Sequence, residues 1–150
     1  MSKLRKLIDQ ITEFGIKPKV GISDKTDVLK KLLVEIYSEY LNVEFEFDNK
    51  EYEEEPEFDY AEIRKNVKSN FPNFDWYSMV LNLNEIQPNV EIGIGDALDD
   101  LTDIIKDLLT VKWKMDNTSE MDALWEFDFS MRTHSEKHLI DLLKFIKEKE

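Results

Sequence analysis

Asp96-Ala97-Leu98-Asp99-Asp100-Leu101-Thr102-Asp103-Ile104-Ile105-Lys106-Asp107-Leu108-Leu109 is the stretch that decides the fold. Leu98, Leu101, Ile104, Ile105, Leu108 and, further on, Met115 return every three or four residues, the period of a helix with one apolar side. At about 100° per residue, Asp96, Asp99, Asp100, Asp103 and Asp107 share one sector about 100° wide, roughly 140° from the apolar side. The spacing predicts a helix from Asp96 to about Met115. Like-charge pairs four apart (96–100, 99–103, 103–107) each cost such a helix about 0.2–0.5 kcal/mol. Acids in the first turn recover part of that against the positive end of the helix. Asp103 and Asp107 lie beyond that turn, so the stripe needs a reason.

Downstream, Ser119 with Asp122 forms a capping box. Met121, Leu124, Trp125, Met131, His138, Leu139, Leu142, Leu143 and Ile146 then extend an apolar stripe to the C-terminus, with no Pro or Gly from 119 to 150. This reads as one helix, antiparallel to the Asp-striped one. Upstream, Leu4, Leu7, Ile8, Ile11 and Phe14 predict a helix over 3–14, with Gly15 as its C′ residue and Pro18 beyond the stop. Ser23-Asp24 is read as the N-cap of a helix over 25–41, carried by Val28, Leu29, Leu32, Leu33, Ile36, Tyr37, Tyr40 and Leu41. Val43, Phe45 and Phe47 alternate with acids, but with no pairing partner in view, 43–58 is taken as an extended surface loop pinned by its aromatics. Asp59 with Glu62 opens a helix bounded by Pro72. The dense apolar run from Phe74 to Leu83 predicts a short buried helix, and 84–95, with Pro88, Gly93 and Gly95, a loop. The expected fold is all-α: one domain over 1–150, a bundle of about five helices with a long antiparallel C-terminal pair.

Composition narrows the function. The chain of 150 residues carries 20 Lys+Arg against 33 Asp+Glu, a net charge of −13. That charge opposes binding to phosphate backbones and anionic membranes, and suits a basic partner or a cation. The excess is patterned. Residues 43–63 hold ten acids against one base, and 71–110 eight acids against one. With no Cys, thiolate chemistry and Cys-based metal sites are excluded. No apolar run approaches the roughly 18 residues of a membrane span, and the basic start Met1 to Lys6 is followed by no apolar signal region. Cytoplasm is the expected compartment. There is no glycine-rich phosphate loop and no G-x-S-x-G elbow.

The run from Gly95 to Ile104, the spacing Trp125-x-Phe127-x-Phe129 and the pair His134-x-x-x-His138 resemble a bacterial family of small acidic helical proteins, domain of unknown function 5063. The segment from Asp59 to Leu83 with Trp76-Tyr77 fits the same family, so the resemblance spans about 28–146. It implies a helical fold and carries over no activity, cofactor or catalytic residue.

Three constellations have chemical content. The Asp stripe suits a solvated face, a surface for a basic partner, or one side of a divalent-cation site. A straight row of carboxylates does not converge on one ion, so a second helix has to contribute. His134 and His138 are four apart and share a helix face, as in two-His zinc sites. The residues between them are Ser135-Glu136-Lys137, so this is not an H-E-x-x-H metalloprotease motif. His138 also shares the apolar stripe, which suits a His bonded to a neighbouring helix. Antiparallel packing brings the Asp stripe level with both His, while the sector angle turns it away from them. Trp113, Trp125, Phe127 and Phe129, with Trp76 and Tyr77, are read as core packing.

The first expectation is a non-enzymatic interaction module without cofactor, immunity- or inhibitor-like. It binds a basic protein through Asp96, Asp99, Asp100, Asp103 and Asp107 and through Glu53, Glu54 and Glu55. The alternative is a divalent-metal-binding bundle with hydrolase-like activity, using His134 and His138 with Asp100 and Asp103.

Overall fold

The structure, a computed structural model, describes residues 2–150; Met1 lies outside them. In chain order the elements are α1 (Ser2–Ile16), α2 (Lys25–Leu41), α3 (Tyr60–Asn70), β1 (Trp76–Val80), β2 (Ile92–Asp96), α4 (Ala97–Asn117), α5 (Glu120–Ser130), a π-helical turn (Met131–Ser135) and α6 (Glu136–Lys149). The last three run on as one rod, so the chain makes five helical rods among the described residues. They are joined by a two-stranded antiparallel sheet, and the fold is mainly helical rather than all-α.

α4 is the axis, in contact with α1, α3, α5 and α6. Leu101, Ile104, Ile105 and Leu108 are all but fully buried there, each stabilising by about 1.5–3 kcal/mol relative to exposure. Leu29, Leu33 and Ile36 of α2, Ile63 and Val67 of α3, Phe127 of α5 and Leu139 and Leu142 of α6 complete one continuous core. Asp96, expected as the first residue of α4, is instead its N-cap, its carboxylate accepting from the Leu98 and Asp99 amides. Ser119 likewise caps α5 by accepting from the Asp122 amide, and Asp59 caps α3.

Several expectations are corrected. α1 runs through Gly15 to Ile16 instead of ending at residue 14. The carbonyls that a C′ glycine would have served are taken by α3. Asn66 Nδ2 donates to Gly15 O at 2.8 Å, and Asn70 Nδ2 to Phe14 O at 2.9 Å and Lys17 O at 2.8 Å. Asp24 precedes α2 in a left-handed conformation (φ 53°, ψ 48°) and its side chain caps nothing, because a capping side chain needs an extended backbone there. Residues 74–83 are not a buried helix. β1 alternates exposed Trp76, Ser78 and Val80 with half-buried Tyr77 and Met79. It pairs with β2 in the register Trp76↔Asp96, Tyr77↔Gly95, Ser78↔Ile94, Met79↔Gly93 and Val80↔Ile92, so the 84–95 loop is the turn and return strand of a hairpin. The helix expected from Ser119 to the C-terminus is broken in register by the π-turn.

The segment from Val43 to Asp59 is extended, without helix or strand. Val43, Phe45 and Phe58 pack on the core, whereas Phe47 is 73% exposed and pins nothing. Asp48 fastens the segment to the start of α5 by accepting from Ser119 Oγ, and this bond, with one from Tyr52 of the same segment, holds its carboxyl down at about 2.

Candidate metal centre

The Asp stripe is not a free solvated face. Asp100 is buried, Asp96, Asp99, Asp103 and Asp107 are half-buried, and each aspartate has a partner within the chain. Asp96 takes Arg64 Nη2 of α3 at 2.8 Å besides its cap bonds. Asp99 accepts from the Tyr60 hydroxyl. Asp100 is 4% exposed and accepts at both oxygens, from His138 Nδ1 at 2.7 Å and from the Tyr77 hydroxyl at 2.5 Å. Asp107 Oδ2 accepts from His134 Nδ1 at 2.8 Å and from Ser135 Oγ at 2.6 Å. Asp103 stands between the two imidazoles. Its Oδ2 is 3.2 Å from His138 Nε2 and 3.7 Å from His134 Nε2.

This geometry sorts the residues by role. A carboxylate only accepts, so Asp100 and Asp107 place the Nδ1 proton on His138 and His134 and turn both Nε2 atoms toward Asp103. One ligand atom each from Asp103, His134 and His138 lies within 4.8 Å of the others. Four-coordinate zinc, with bonds of about 2.0–2.1 Å, sets its ligands about 3.3 Å apart. The two Asp103 separations bracket that figure. The longer of the two is to His134, whose side chain is 46% exposed. The rings meet edge to face, their centroids 4.8 Å apart. The π-turn carries His134, and α6 carries His138 in its first turn. Such one-residue bulges in helices recur at functional sites.

The electrostatics follow the same contacts. The hydrogen bonds to Asp100 and then Asp103 outweigh burial and raise His138 to about 10. Burial pushes the Asp103 carboxyl up, but the bond and charge of His138, with His134, hold it below its ordinary value. Burial first, then the bond to Asp100, pushes the Tyr77 hydroxyl far above the usual phenol range. Burial, and then the charge of Asp100, raises Asp141 of α6 nearby.

Of the residues expected in the site, His134, His138 and Asp103 meet. Asp100 stands on the Nδ1 side of His138, where it orients the ring and does not face the shared point. Asp99 is turned to α3. Glu53, Glu54 and Glu55 are exposed on the extended segment, remote in chain from any of these partners. Trp125 and Phe129 stack at 5.0 Å on the flank of α5, while Phe127 is fully buried. The sequence reading missed Tyr77 and Ser135, the hydroxyls behind Asp100 and Asp107. Ser135 lay between the two His with nothing to mark it, and Tyr77 was hidden by the helix reading of its segment.

Among the described residues no helix is long and apolar enough to cross a membrane. No curated protein and no solved structure matches the chain. A family model does match, over residues 16–149, taking in every residue of the centre, and the chain belongs to that family, a domain of unknown function (DUF5063).

Proposed function

We propose that the protein binds a divalent first-row transition-metal ion through Asp103 Oδ2, His134 Nε2 and His138 Nε2. One observation carries this reading. Both imidazoles are held at Nδ1 by a carboxylate and aim Nε2 at a third carboxylate, the arrangement that orients His ligands around metals. Two imidazoles and one carboxylate favour Zn²⁺, Co²⁺, Mn²⁺ or Fe²⁺ over Mg²⁺ and Ca²⁺, which prefer all-oxygen shells. Three protein ligands leave a coordination position for water, and the exposed side of His134 opens it to solvent. Hydrolase-like chemistry is the extension of this reading.

The test is titration of the chelator-stripped chain with Zn²⁺, Co²⁺ and Mg²⁺, followed by elemental analysis. One Zn²⁺ or Co²⁺ per chain is expected, with a rise in melting temperature and no response to Mg²⁺. His134→Ala and Asp103→Ala should each abolish the shift. Wild-type protein that takes up no metal and shows no shift ends the reading.

A second reading, an interaction module for a basic protein, is favoured by a different feature. The hairpin exposes Trp76, Val80, Leu83, Ile86, Ile92 and Ile94, and no Lys or Arg occurs between Trp76 and Ile105. Glu85 and Glu91 near its tip and Glu53–Glu55 on the extended segment add exposed negative charge. An extended, lysine-rich, partly apolar segment could add a strand to such an edge. A lysine-rich peptide alternating with Val should bind, and more weakly as salt rises. Affinity that is indifferent to salt removes the electrostatic part of this reading.

A further inference from the structure

The β-hairpin reaches the centre at one point. Tyr77 of β1 points inward, packs its ring against Phe145 of α6 (centroids 5.5 Å apart) and donates its hydroxyl to Asp100 Oδ2 at 2.5 Å. The other oxygen of Asp100 holds His138 Nδ1 at 2.7 Å. Hydroxyl, carboxylate and imidazole therefore form one chain ending at Nε2, on the point shared with Asp103 and His134. Asp100 is almost wholly enclosed, so no water substitutes cheaply for a lost donor.

The residue opposite Tyr77 in the ladder is Gly95. No glycine of the described chain has positive φ, so Gly95 is not there for backbone freedom. A Cβ at position 95 would lie 2.2 Å from Tyr77 Cζ, 2.3 Å from Cε2 and 2.6 Å from the hydroxyl oxygen. The ring occupies the space a Cβ at position 95 would need, and any larger residue would push it off its path to Asp100. Strand pairing, the missing Cβ and the ring direction all serve one contact.

We propose that Tyr77 is a positioning residue of the centre: seated over Gly95, it fixes the Asp100 carboxylate that aims His138. The inference rests on the metal reading only for its consequence at the ion. The geometry it asserts, Tyr77 setting His138, exists without metal.

The experiment compares the full chain with Tyr77→Phe, Gly95→Ala and Tyr60→Phe. The last removes a similar tyrosine–aspartate bond at the adjacent Asp99, which leads to no imidazole. In metal-free protein, the ring-nitrogen resonances of His138 should move in Tyr77→Phe and in Gly95→Ala, while those of His134 stay. Tyr60→Phe should leave both. By chelator competition, Tyr77→Phe and Gly95→Ala should bind Zn²⁺ about 10-fold or more weakly, the usual effect of losing an outer partner of a ligating His. Tyr60→Phe should bind as wild type. The inference is overturned if the His138 resonances in Tyr77→Phe match wild type, or if Tyr60→Phe produces the same changes. If the His138 resonances move but wild-type protein takes no Zn²⁺, the metal reading falls and the positioning role stands.

Discussion

His138 is where the chemistry of single residues becomes measurable. Its imidazole faces Asp100 and Asp103 from α4, His134 from the π-turn, Tyr77 from β1 behind Asp100, and Asp141 on its own helix. The carboxylates raise it from an ordinary 6.5 to about 10 in the folded metal-free chain. A group raised on folding contributes stability that is complete below its unfolded value and lost as pH climbs through the folded one. The window therefore runs from about 6.5 to about 10, and stability falls across it. The melting temperature of chelator-stripped wild type should drop more between these limits than that of His138→Gln, by differential scanning calorimetry. Equal slopes would show that His138 does not carry the effect. A bound metal competes with the same proton, so Zn²⁺ affinity should rise with pH over this window.

Among the elements, α4 was the most legible and the hairpin the least. The apolar spacing of α4 was readable because it is local, whereas Asp96, read as a first-turn acid, is the cap. The cap is worth testing on its own terms. Asp96→Ala removes the acceptor for the Leu98 and Asp99 amides and the partner of Arg64, and should cost about 0.5–2 kcal/mol. The midpoint of urea unfolding should fall with an unchanged slope, and an unmoved midpoint would mean that water serves those amides equally well. The hairpin was lost for a reason also written in its residues. Ile92-Gly93-Ile94-Gly95 alternates with period two, but Trp76-Tyr77-Ser78-Met79-Val80 does not, and the dense apolar content of 74–83 is equally compatible with a short helix. Only the pairing decides, and in it Gly93 and Gly95 lie beneath Leu81 and Tyr77. The π-turn was illegible because nothing local in Met131–Ser135 forbids an α-helix. The closeness of Asp107 to both His134 and Ser135 is visible only once the rods are packed.

For the whole molecule the decisive fact is that α4 packs against α1, α3, α5 and α6. A sector of five acids reads as a solvated face on any helix with a wet side, so position in the bundle, which no periodicity gives, is what brings Asp103 up to His134 and His138. What sets the spacing of the rods can be tested at Gly15, where α1, α3 and α4 meet. A Cβ there would lie 2.7 Å from Ile105 Cγ2 and 2.9 Å from Ile63 Cγ2. Both isoleucines are buried, at 0% and 5% exposure, so neither methyl can swing into solvent. Asn66 Nδ2, bonded to the Gly15 carbonyl at 2.8 Å, ties α3 to the end of α1 and resists their separation. In an unpacked helix Gly→Ala stabilises by up to about 1 kcal/mol, whereas overfilling a packed core costs about 1–3 kcal/mol. The second effect should win, so Gly15→Ala should lower the urea midpoint. It should also loosen Zn²⁺ binding at Asp103, because Ile105 and Asp103 ride on the same helix. A variant more stable than wild type would show that the three rods have slack, and that the centre is held by its own hydrogen bonds rather than by the spacing of the bundle.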